Sequence, residues 1–133
     1  MRKITLTKPD DWHLHLRGGP ALRSVVGMSA LQMGRAVIMP NLSPPIKSVY
    51  QAIAYRKEIM SALPIETTFN PLMVLYLTDT TTKNEIIEAS EAQEIHAVKF
   101  YPAGATTNSD SGVTNLSSTY PALEQMQKEG VPL

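Results

Sequence analysis

Asp11-Trp12-His13-Leu14-His15-Leu16-Arg17 alternates polar and apolar residues with the period of a β-strand. Successive strand side chains point to opposite faces, so His13, His15 and Arg17 are expected on one face and Trp12, Leu14 and Leu16 on the other. Two neutral imidazoles one residue apart can reach a single borderline-soft cation such as zinc, and a guanidinium just beyond them can hold an anionic ligand. Two ordinary strand histidines would look the same, and the pair alone does not separate these readings. The turn after Arg17 decides the fold. Gly18-Gly19-Pro20 stands where a doubly wound nucleotide-binding sheet carries its glycine-rich turn, but it lacks the G-x-G-x-x-G spacing. A barrel is favoured instead, because barrel sites are built from the carboxyl ends of strands, where His13, His15 and Arg17 fall.

Working outward, strands alternate with helices. After Pro20, Leu22, Val25, Val26, Ala30 and Met33 recur at helical spacing, and Arg35 to Met39 is a short apolar strand stopped by Pro40. Ser48-Val49-Tyr50-Gln51 has the form of a capping box, opening a helix whose buried stripe is Val49, Ala52, Ile53, Ile59, Met60 and Leu63. Thr67 to Leu77 supplies a third strand rich in Thr, Phe, Val, Leu and Tyr. A second capping box, Thr82-Lys83-Asn84-Glu85, starts a short helix through Ala89, and Ala97 to Tyr101 makes a fourth strand. A loop of small residues then runs from Pro102 to about Asn115. The next helix turns Leu123 and Met126 toward the core and stops at Gly130, and Val131-Pro132-Leu133 reads as the start of a fifth strand. Alternating βα units imply a parallel sheet covered on both faces. The expectation is an α/β chain that forms, over residues 1–133, the first four βα units plus the start of the fifth strand of a partial (β/α)8 barrel.

Composition excludes several classes. Twelve basic and twelve acidic residues are interspersed, so no charge tract points to a nucleic-acid partner. Cysteine is absent, which leaves nitrogen and oxygen as the donors for any metal. The first residues include no apolar leader core and no stretch is long enough for a membrane span, so a cytoplasmic protein with no membrane partner is expected.

Lys99 is the second informative residue, because an ammonium inside an apolar strand is costly without a partner. Alternation puts Ala97, Lys99 and Tyr101 on one face, so Lys99 can meet His13 and His15 if that face lines the barrel mouth. A desolvated, neutral amine can add carbon dioxide to become a carbamate, a two-oxygen ligand able to bridge two divalent metals. A lysine snorkelling out at a strand end is the plainer alternative. Asn41 follows the second strand, where it is either a turn former or, with Arg17, one half of a carboxylate clamp. His96 is three residues before Lys99 and is expected to face away from it, in a structural role.

Three stretches together carry a resemblance: Pro9 to Arg17, Met39-Pro40-Asn41-Leu42-Ser43-Pro44-Pro45, and Val98 to Ser109 with its Ala105-Thr106-Thr107-Asn108. In order and spacing, over essentially the whole chain, they resemble the amino-terminal part of the stand-alone dihydroorotase family of the amidohydrolase superfamily. The resemblance implies a metal-dependent (β/α)8 barrel with two zinc ions, His13 and His15 on the more buried one and a carbamylated Lys99 bridging both. It implies that Arg17 and Asn41 grip the substrate carboxylate and that the loop from Pro102 to Thr114 is a lid whose Thr106 and Thr107 reach the ligand. The implied reaction is the reversible cyclisation of N-carbamoyl-L-aspartate to L-dihydroorotate in pyrimidine synthesis, by a homodimer when complete.

Two departures go with it. Position 18 is glycine where the family usually continues Arg-Asp-Gly, and the family's further zinc histidines and catalytic aspartate lie on strands after residue 133. No catalytic residue is therefore assigned within the chain, and the chain by itself is expected to be inactive. Two rivals share these features: a hydantoinase or allantoinase type of cyclic-amide hydrolase, and a non-catalytic dihydroorotase-like subunit supporting aspartate transcarbamoylase. Arg17, Asn41 and the paired threonines favour a carboxylate-bearing ring over the first, and retention of His13, His15 and Lys99 argues against the second.

Overall fold

The computed structural model describes residues 2–133. Four strands, β1 (Asp10–Leu14), β2 (Arg35–Ile38), β3 (Asn70–Tyr76) and β4 (Ile95–Lys99), alternate with four helices, α1 (Gly19–Gln32), α2 (Val49–Ser61), α3 (Lys83–Glu91) and α4 (Leu116–Glu129). The sheet is wholly parallel in the order β1-β2-β3-β4. Sequential order without a reversal has no switch point, which is how strands run in a (β/α)8 barrel and not in a doubly wound sheet. The four strands form half of such a ring.

Local chemistry explains the helix starts. Both capping boxes form: the Ser48 hydroxyl accepts from Gln51 N–H and the Thr82 hydroxyl from Glu85 N–H, while each third residue reaches back to the cap. Helix α1 has no side-chain cap of its own. The Glu58 carboxylate on α2 instead accepts the Gly19 N–H at 2.7 Å, placing an acidic group at the positive end of α1. Asn115 caps α4, and Gly130 ends it in the left-handed conformation at φ 69°.

One core joins the helices to the outer face of the sheet, with Leu22, Val26, Ile38, Ile59, Leu75 and Ile86 fully enclosed. Tyr55, not Ile53, takes the middle of the α2 stripe, and Val25 on α1 is exposed rather than buried. Strand β3 is buried on both faces, as a central parallel strand should be. The stretch from Val131 is not a regular strand, but the Val98 N–H donates to the Pro132 carbonyl at 2.9 Å, so the chain returns to the free edge of β4. No helix among the described residues is long and apolar enough to cross a membrane.

Regular alternation fails at two places. Between Asp11 and Leu14, β1 has one more residue than β2, and the Asp11 carboxylate takes the His13 N–H at 2.9 Å. This bulge turns Trp12, expected opposite His13, into the same hollow as His13, where it is 65% exposed with the Arg35 guanidinium 5.9 Å from its ring. A second irregularity between Met73 and Val74 leaves His96 as the extra residue of β4. His96 therefore lines the hollow with Lys99 instead of facing away from it. Strand β4 also begins and ends earlier than the apolar run suggests, so Lys99 is its last residue.

Candidate functional site

His13 is the penultimate residue of β1 and His15 the first beyond it. Their Nε2 atoms lie 3.2 Å apart with ring centroids at 5.1 Å. Two nitrogens bound at 2.0–2.1 Å to one tetrahedral zinc stand about 3.3 Å apart, so the pair has the bite of a chelate. The same separation also suits an N–H···N hydrogen bond. Partial desolvation of its otherwise exposed ring, then the neighbouring His13 and Arg17, hold the His15 imidazole below its ordinary pKa, with Lys99 adding to this and the Asn41 side chain opposing it. Those influences favour the neutral imidazole, the form that binds metal. Among the described residues no three His, Cys, Asp or Glu side chains come together as a metal site. The chain thus fits two ligand positions of a zinc ion and requires other donors for the rest.

Arg17 and Asn41 are brought together. Arg17 sits at φ 63°, its carbonyl accepts the Tyr55 hydroxyl at 2.6 Å, and its guanidinium approaches the Asn41 carbonyl at 3.5 Å. A non-glycine residue in this region is uncommon and is held there by its surroundings, here the Tyr55 hydrogen bond. Asn41 is 1% exposed; its amide donates to the Thr107 carbonyl at 2.8 Å, and its Oδ1 is buried with no partner. An unpaired buried acceptor costs about 1 to 3 kcal/mol, which a ligand or water at that atom would recover.

Lys99 and His13 line one hollow of about 470 Å³ on the inner face of the sheet, floored by Val37, Met39, Leu72 and Val74. The Lys99 Nζ lies 5.4 Å from the Tyr101 ring, which stacks on Tyr76 at 5.0 Å. Lys99 has no ion-pair partner among the described residues. Burial and Tyr76 push the Tyr101 phenol up to about 12, and its hydroxyl is likewise buried and unpaired.

The loop from Pro102 to Thr114 is braced more closely than its small residues suggest. Ser109 is fully buried; its hydroxyl donates to the Thr106 carbonyl at 2.6 Å and accepts the Thr106 N–H at 2.9 Å. Gly112 allows the loop to close, since a Cβ there would collide with the Tyr101 carbonyl oxygen. Thr106 and Thr107 are exposed, and the hydrogen bonds they make are through the backbone.

The far end of the loop is held by Asp79, whose carboxylate accepts from the N–H groups of Thr114 and Asn115 and from the hydroxyls of Thr114 and Ser118. These bonds, the Thr114 hydroxyl first, hold the Asp79 carboxyl below its ordinary 3.8. A depressed carboxylate stabilises the fold above 3.8 and loses that contribution as pH falls through its lower native value. Asp79→Asn is therefore expected to lower Tm by a constant amount between pH 7 and pH 5 in thermal melts, with the gap narrowing only at more acid pH.

The sequence patterns pointed to His13, His15, Arg17, Asn41 and Lys99, and all five lie at the carboxyl end of the sheet or just past it. Tyr55, Tyr76, Asn108 and Asp79 were not among them. Tyr76 reaches the site through its register with Lys99 across β3 and β4, and the others through loop contacts; no local pattern marks any of them.

No family model matches the chain. It is 58% identical over 132 residues to dihydroorotase of Cupriavidus necator, covering 99% of this chain and 38% of that protein. Dihydroorotase of Halorhodospira halophila is 54% identical over 133 residues, covering 100% and 39%. Among solved structures, dihydroorotase of Campylobacter jejuni superposes with a TM-score of 0.86 at 38% identity, over 95% of this chain and 37% of that one. Dihydroorotase of Saccharomyces cerevisiae in complex with 5-fluoroorotic acid gives 0.82 at 39%, over 92% and 34%. The chain spans about 38% of the length of the curated relatives it matches. In sequence along its whole length, and in backbone along nearly all of it, the chain is similar to one part, a little over a third, of the dihydroorotases.

Proposed function

We propose that this chain is the amino-terminal part of a zinc-dependent dihydroorotase, a cyclic amidohydrolase that interconverts N-carbamoyl-L-aspartate and L-dihydroorotate in pyrimidine biosynthesis. The observation that carries the reading is the 3.2 Å convergence of His13 and His15 Nε2 beside a hollow that also holds Lys99. His13 and His15 would hold zinc together with Lys99 once its amine has added carbon dioxide, forming an N–C bond and releasing a proton. Zinc, when bound, supplies Lewis acidity and a water acidic enough to ionise near neutral pH. The remaining zinc histidines and the catalytic aspartate belong, in this reading, to the rest of the protein.

The chain's own contribution is to bind and orient the substrate. Arg17 gives a planar cationic fork for a carboxylate, and Asn41 offers the amide hydrogen that Thr107 leaves free. Thr106 and Thr107 present unengaged hydroxyls from the loop above. The same reading makes the complete enzyme a cytoplasmic homodimer acting on small molecules.

The clamp distinguishes this activity from that of hydantoin or allantoin hydrolases, whose rings lack a carboxylate. The full-length protein is expected to open L-dihydroorotate in preference to hydantoin and allantoin. A charge-assisted hydrogen bond is worth about 1.5 to 3 kcal/mol, so Arg17→Met should lower kcat/KM for dihydroorotate by roughly tenfold or more with metal content unchanged. Equal turnover of the three rings, with no effect of Arg17→Met, would refute the assignment.

A further inference from the structure

Asn41 and the loop above it hold one another in both directions. The Asn41 amide donates to the Thr107 carbonyl at 2.8 Å, and the Asn108 amide donates back to the Asn41 carbonyl at 3.0 Å. The Arg17 guanidinium approaches that same Asn41 carbonyl, at 3.5 Å. Asn108 stands at φ 53°, a left-handed conformation that asparagine tolerates better than most residues, and its own carbonyl accepts the Tyr76 hydroxyl at 3.3 Å. One loop residue is thus tied to the ends of both β2 and β3.

We propose that Asn108 is a positioning residue for the substrate clamp: by donating to the Asn41 carbonyl, it fixes the backbone from which Asn41 addresses the substrate carboxylate and the acceptor that the Arg17 guanidinium approaches. Two features make the link specific. Asn41 is almost wholly enclosed, so its side chain can move little unless its backbone moves. Its Oδ1 has no hydrogen-bond partner, so its orientation rests on the bond to Thr107, the neighbouring His15 ring and the backbone held by Asn108. Asn108 itself need not touch the ligand. Its effect should appear in KM for the carboxylate-bearing substrate, while kcat, set by the metal and the reacting groups, stays nearly constant.

The inference rests on reading Asn41 and Arg17 as the carboxylate clamp, and the test separates the two. Two variants of the full-length protein isolate the donor. Asn108→Gly keeps the left-handed backbone and removes the side-chain amide; Asn108→Asp keeps the volume and replaces the donor by an acceptor facing a carbonyl. Steady-state kinetics with L-dihydroorotate should show KM raised roughly 3- to 10-fold in Asn108→Gly, as loss of one hydrogen bond implies, and at least as much in Asn108→Asp. In both, kcat should stay within about twofold and zinc content should be unchanged.

If Arg17→Met raises KM while both Asn108 variants leave it unchanged, the positioning role is wrong and the clamp stands. If none of the three moves KM, the clamp itself is wrong and the inference falls with it. A near-normal KM in Asn108→Asp alone would show that Asn108 only fills space. A fall in kcat matched by loss of zinc would show that the loop supports the fold and not the clamp.

Discussion

Lys99→Ala in the full-length protein is expected to abolish nearly all opening of L-dihydroorotate and to lower bound zinc. Lys99 is the last residue of β4, lines the hollow it shares with His13, and has no ion-pair partner among the described residues. A lysine serving only as a snorkelled strand end would be replaceable at the cost of a surface change, usually within about 0.5 kcal/mol. A lysine carrying a bridging carbamate would not. Losing a mere outer-shell partner of a metal costs 10- to 100-fold, so removal of the bridge itself should cost roughly 100-fold or more. A short carboxylic acid added to the variant should restore part of the activity by occupying the place of the carbamate. Wild-type activity and zinc in Lys99→Ala would show that the residue is an ordinary lysine.

The second large effect is expected from the histidines. Either His13→Ala or His15→Ala leaves one nitrogen where the structure has two converging within 3.2 Å. Each variant should lose zinc and at least about 100-fold in kcat/KM, by the same comparison with outer-shell losses. Both side chains are exposed, so the metal-free forms of these variants should melt close to the metal-free parent. This contrast separates a ligand from a structural residue: zinc analysis and thermal melts of the stripped proteins measure both sides of it. Retained zinc with a lowered Tm in the stripped state would mean that the pair is a hydrogen-bonded part of the fold.

Much of this arrangement was legible in the sequence, because the decisive signals are local. Capping boxes need only a hydroxyl and a Glu or Gln three residues on, and both lie where the pattern put them. The His-x-His pair and Lys99 stand out because polar groups inside apolar runs need a reason. What could not be read depends on register. One extra residue in β1 and another in β4 move Trp12 and His96 into the inner hollow, and period-two reasoning has no means of locating a bulge. The Asp11 carboxylate that takes the His13 N–H gives the first bulge its physical support, yet an Asp at that place also suits a plain turn. The bracing of the loop after β4 has no local signature, because it comes from Ser109, Asn108 and Asp79, bonded to partners 3 to 67 residues away. Val25 matches the helical stripe but faces outward, since Leu22, Val26 and Ala30 already fill the contact with the sheet.

The most direct test is anomalous diffraction at the zinc edge from crystals of the full-length protein grown with zinc and bicarbonate. A zinc peak is expected about 2.0–2.1 Å from both His13 Nε2 and His15 Nε2, with electron density for a carbamate extending from Lys99 Nζ toward it. A fully occupied zinc bound elsewhere, with His13 and His15 hydrogen-bonded to each other and an unmodified Lys99, would contradict it.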